Sequence, residues 1–110
     1  MMIKPETIAE ILSLYRKHDW TLRRVLLSDE LRVHLTDRLQ DLFGGAEIVS
    51  AKINGLWFSR PARNQGETWE LRRLSDAPFA LVEVFENGIK PEIREEILRE
   101  AENRLRETKN

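Results

Sequence analysis

At 110 residues, 41% hydrophobic and 34% charged, the chain has room for one modest core and the composition of a soluble globular domain rather than a disordered one. Its net charge of -1 gives no overall pull toward nucleic acid or anionic lipid. With no cysteine, disulfides, thiolate metal sites and cysteine nucleophiles are all excluded.

The opening residues Met1 to Glu6 lack the apolar segment of a secretory leader, and the longest uncharged apolar run is Phe79 to Val82. A membrane span needs ~20 such residues, so a cytoplasmic location with no membrane contact is expected. Pro5 suits the first position of a helix, and Glu6 complements the positive end of its dipole. Ile8, Ile11, Leu12 and Tyr15 then form one apolar stripe at helical spacing, ending near His18-Asp19. Leu22 to Leu27 reads as a strand with Arg23 and Arg24 at its wet end, or else as an irregular link.

Ser28 is a helix cap with Asp29 and Glu30 in the first turn, and the stripe Leu31, Leu35, Leu39, Leu42 predicts a central helix over 29–43. Gly44-Gly45 supplies its left-handed terminator. Ala46 to Lys52 is a short strand or a loop. Three strand-like runs follow, Ile53–Arg60, Thr68–Leu74 and Phe79–Glu86, joined by turns rich in Pro, Gly, Asn and Asp. Pro91 opens a last helix over 91–107 with Ile93, Ile97, Leu98, Ala101 and Leu105 inward. The fold class is therefore α+β in a single domain over residues 1–110: a three- or four-stranded, mainly antiparallel sheet built on a 53–86 meander and packed by three helices.

Pairing Arg60 with Glu67 and Leu74 with Phe79 gathers Leu56, Phe58, Trp69, Leu71, Ala80, Val82 and Val84 on one apolar face, the expected core. The other face then carries Trp57, Leu81 and Phe85 around a charged cluster of Glu70, Arg72 and Glu83. That is too much apolar surface for a plain solvated face. A helix of the same chain, a second copy, or another partner or ligand would cover it.

Signals for chemistry are sparse. His18 beside Asp19 and His34 one turn before Asp37 read as surface histidines in charged stretches. No HExxH, phosphate-binding glycine loop or nucleophile elbow occurs, so no metal, no cofactor and no catalytic residue is assigned. In the last helix, Glu95–Arg99, Glu100–Arg104 and Glu102–Arg106 stand at the spacing of surface ion pairs. Arg60, Arg63 and Arg72 with a stacking Trp57 form an alternative nucleic-acid surface on the hairpin 57–73. The order helix, three strands, helix resembles the double-stranded RNA-binding domain in topology alone. Here the closing helix begins with Glu92, Glu95 and Glu96, which repel phosphate, so nucleic acid is the less favoured partner. The expectation is a small bacterial-type interaction or accessory protein without catalysis, a homodimer or the partner of an unidentified protein, using Trp57, Glu70, Arg72, Leu81, Glu83 and Phe85.

Overall fold

Two prolines start the two longest helices. In a computed structural model of the protein, α1 spans Pro5–Lys17 and α4 spans Pro91–Glu107, each with proline in its first turn. The structure describes residues 2–75 and 77–108. Asp76, in the turn expected between the second and third strand-like runs, lies outside the described residues.

Between these helices run β1 (Thr21–Leu27), α2 (Asp29–His34), α3 (Leu39–Phe43), β2 (Glu47–Ser50), β3 (Gly55–Pro61), β4 (Glu67–Arg73) and β5 (Ala80–Phe85). The strands form one sheet in the order β2-β1-β3-β4-β5, in which β1 and β2 are parallel and every other pairing is antiparallel. The α+β class stands, but among the described residues the sheet has five strands and is mixed. Residues 22–27 belong to a strand, and a further short strand lies within 46–52. A parallel pair needs a crossover, and α2 and α3 supply it.

The central helix is also corrected. Ser28 does cap it, its hydroxyl accepting from the Leu31 N–H at 3.2 Å. After His34 the chain tightens into a 3-10 turn over Thr36–Arg38, where the Thr36 hydroxyl donates to the Arg32 carbonyl. A threonine hydroxyl bonding back to the preceding turn bends a helix. The stripe survives the break: Leu31, Leu35 and Leu42 are buried and Leu39 packs beside them. Gly44, at φ 58°, ends α3 in the left-handed region.

Register decides the rest. Leu56 pairs with Arg72, Trp57 with Leu71 and Ser59 with Trp69, while Leu71 pairs with Leu81. Both hairpins sit one residue away from the pairing expected from Arg60–Glu67 and Leu74–Phe79, and a one-residue slip exchanges the faces. Leu56 and Phe58 therefore share a face with Glu70, Arg72 and Val82. Trp57 shares the other with Trp69, Leu71, Leu81 and Phe85.

Each face has its own core. On one, Ile8, Ile11 and Leu12 of α1, with Leu31, Leu35, Leu42 and Phe43, pack on Val25, Leu27, Leu56 and Phe58. On the other, Leu98, Ala101 and Leu105 of α4 pack on Leu26, Trp57, Trp69, Leu71 and Phe85. Ile93, expected inward, is exposed. A sheet covered on both faces needs apolar side chains at successive positions, and β3 has them in Leu56, Trp57 and Phe58.

Candidate interaction site at the open edge of the sheet

The α4 interface is tied by polar contacts as well as apolar packing. The Trp57 indole N–H donates to Glu102 Oε2 at 2.8 Å. Arg24 reaches Glu95 at 3.0 Å, Glu47 at 3.1 Å and Glu102 at 3.9 Å. Burial opposes its charge, but the hydrogen bonds and attraction of Glu95 and Glu47 outweigh that and hold the guanidinium above its ordinary pKa. A bulge between Leu22 and Arg24 in β1 inserts one extra residue, and Arg23 joins Arg24 on the α4 side. Arg23 donates to the buried Ser59 hydroxyl at 2.9 Å and lies 4.7 Å from the Trp69 ring centroid. Thus Glu95 and Glu102, expected to pair along the helix, meet the sheet. These contacts account for the α4 face as an interior.

The six residues expected to form an interaction patch do not come together. Trp57 and Phe85 are buried and Leu81 is half-buried, all under α4. Glu83, on the same face, is held by Arg104 at 2.9 Å. Glu70 and Arg72 stand on the opposite face. There Glu70 accepts a hydrogen bond from the Tyr15 hydroxyl, and Arg72 donates to the Arg73 carbonyl. Tyr15 stacks on Phe58 with ring centroids 4.0 Å apart. Burial first, then the hydrogen bond and charge of Glu70, raises the Tyr15 pKa well above the ordinary tyrosine range, while Arg72 pulls it down.

The nucleic-acid constellation is dispersed too. Trp57 is 0% exposed and has no free face for a base. Arg60 lies 4.4 Å over the Trp20 ring and donates to the His18 carbonyl, while Arg63 sits in the exposed turn beyond β3. His18 and His34 are both exposed. Among the described residues, no group of three or more histidines or carboxylates is arranged to hold a metal ion.

What remains open is the side of the sheet farthest from β2. The α1 face is covered over β1 and β3, and its cover thins out at Tyr15 and Glu70. Beyond that line Ala80, Val82 and Val84 of β5 are exposed, Val82 at 52% and Val84 at 68%. These three were expected in the core; the slips of the two hairpins cancel, so they keep the face of Leu56 and Phe58 but lie beyond the cover that α1 gives that face. Strand β5 is also the last in the sheet, so among the described residues no strand neighbours one side of its backbone. The Arg73 N–H donates to the Phe79 carbonyl at 2.9 Å, which fixes the alternation. In an antiparallel ladder every second residue turns its N–H and C=O to a given neighbour. Leu81, Glu83 and Phe85 therefore face β4, and Ala80, Val82 and Val84 point their backbone groups outward. Just past Val84 lies an open hollow of about 450 Å³, lined by Ala62, Arg63, Asn64, Phe85 and Asn87 among others. The sequence signal for this site was the run of apolar residues at both parities of the last strand before α4, a pattern that also fits a buried strand.

No family model, curated protein or solved structure matches the chain.

Proposed function

We propose that the protein is a non-catalytic interaction module that presents the β5 edge to another polypeptide. The observation that carries this reading is the coincidence, on Ala80, Val82 and Val84, of exposed apolar side chains and outward backbone groups. Soluble proteins ordinarily blunt such an edge with lysine, proline, a bulge or an inward charge. Here β5 is Ala-Leu-Val-Glu-Val-Phe, pairs with β4 without a register shift, and spends its one charge on Arg104. The opposite edge is treated differently: β2 has four residues and its Glu47 is tied to Arg24. The β5 edge thus offers an added strand both outward backbone groups and apolar side chains, the two features that strand addition uses.

The test is affinity capture from the source cell with the wild-type chain and a Val82→Lys/Val84→Lys double variant as baits. Both side chains are exposed, so the variant should keep its fold by circular dichroism. A partner retained by the wild type and lost by the variant supports the reading. Identical capture by two folded baits sinks it.

A further inference from the structure

We infer that the occupant of the β5 edge is a second copy of this chain, paired antiparallel about a two-fold axis that passes through Val82. This rests on the reading of β5 as the interaction site and names its partner. A two-fold axis perpendicular to the sheet keeps α1 of both copies on one side and α4 on the other, and it sets each residue opposite one of the same parity. Strand β5 runs from Ala80 to Phe85, so the axes giving the longest overlap pass through Val82 or Glu83.

The two are not equivalent. An axis through Glu83 sets two carboxylates directly opposite in a non-hydrogen-bonded pair, where side chains stand closest and like charges destabilise. An axis through Val82 makes Val82 face the partner's Val82 and Ala80 face the partner's Val84. It places Leu81 opposite the partner's Glu83, with no charge facing a like charge. The facing positions Ala80, Val82 and Val84 are those whose N–H and C=O point outward, so each pair exchanges both backbone hydrogen bonds. The outcome is a ten-stranded sheet with one continuous apolar floor, bordered on each side by Glu70 and Arg72 from β4.

The chain contains no cysteine, so single cysteines report the register without background. Opposed residues in a hydrogen-bonded pair have Cα atoms about 5.5 Å apart, within the reach of a disulfide. Under mild oxidation Val82→Cys should therefore cross-link to itself. Ala80→Cys and Val84→Cys should each stay uncross-linked alone, their own copies lying roughly 13 Å apart along the strands, and should cross-link when mixed. Light scattering should give twice the 13.0 kDa chain mass for the wild type and a single chain mass for Val82→Pro. That proline removes an outward N–H and leaves the β4 ladder intact. Val82→Lys is the second variant should the proline disturb the strand. A dimer that persists in both variants, or one that cross-links through Glu83→Cys and not Val82→Cys, overturns the proposal. A wild-type monomer at all concentrations overturns it as well. In that case the interaction reading survives if cell capture still depends on Val82 and Val84, and falls with the proposal if it does not.

Discussion

The indole N–H of Trp57 in β3 donates to the Glu102 carboxylate of α4 at 2.8 Å, and the ring is 0% exposed. The tryptophan thus joins the middle strand to the last helix by both an apolar body and a polar tip. Removing it leaves a large cavity in the α4 core and takes away the indole donor to Glu102. Trp57→Ala should cost about 3–5 kcal/mol, a large part of the stability of a domain this size. Urea unfolding should show a much lower midpoint or no folded baseline. An unchanged midpoint would mean that Trp57 is not an interior residue.

Arg24 is the other joint across this interface, linking β1 to Glu47 of β2 and to Glu95 and Glu102 of α4. Its side chain is 20% exposed, whereas Glu47 is 63% exposed, so solvent screens part of the attraction. Arg24→Gln should therefore cost about 1–2 kcal/mol, less than the loss of a fully buried ionic partner. The penalty should shrink as salt is raised. A difference independent of ionic strength would assign the effect to packing of the arginine stem instead.

Tyr15 gives the molecule a defined response to alkali. Its pKa is raised in the folded state, by burial first and then by Glu70, so folding favours the protonated hydroxyl. The sign follows from linkage: this stabilisation is complete below the ordinary tyrosine value of 10.0 and is lost as pH rises from there through the folded-state value. The chain has one tyrosine, so the tyrosinate absorbance band reports Tyr15 alone. In the native protein the band should appear only well above pH 10.0, coincident with unfolding. Tyr15→Phe should be less stable at neutral pH and should show a shallower fall in Tm over the alkaline range. Titration of the native hydroxyl at its ordinary pKa would refute the Tyr15–Glu70 pairing.

Helices were the legible part of this sequence. Pro5, Pro91 and Ser28 mark starts that depend only on local chemistry, and the structure places helix starts at or next to all three. Strand positions along β3, β4 and β5 were also readable, but their faces were not. Sorting them by apolarity assumes one wet face, and here α4 covers the side opposite α1. Trp57 and Phe58, neighbours in sequence, each belong to a different core. With both parities apolar, hydrophobic pattern no longer selects between two registers one residue apart. The candidate site was hidden for a different reason: Val82 and Val84 share the face of Leu56 and Phe58 in either register, and their exposure depends on how far α1 reaches across the sheet, which no pattern along β5 reports.

What fixes the register is the turn between β3 and β4, whose residues carry a weak signal. Asn64 and Gln65 both adopt positive φ, 55° and 63°, and the Gly66 N–H closes the turn on the Arg63 carbonyl at 3.0 Å. Asn-Gly is the usual pair for such a conformation; glutamine in the second place hides it. Gly66 is then pressed against β5: a Cβ there would lie 2.4 Å from the Phe85 carbonyl oxygen. Gly66→Ala should shift the backbone of β4 or β5 at a cost of about 1–3 kcal/mol. Gln65→Gly should act oppositely. Relief of the left-handed strain, roughly 1–2 kcal/mol, exceeds the added chain entropy of glycine, roughly 0.5–1 kcal/mol, for a net gain of about 0.5 kcal/mol. Paired urea titrations of the two variants would check both signs. If Gln65→Gly destabilises as Gly66→Ala does, the turn is not held in the left-handed conformation and the register of β3 on β4 must be set elsewhere.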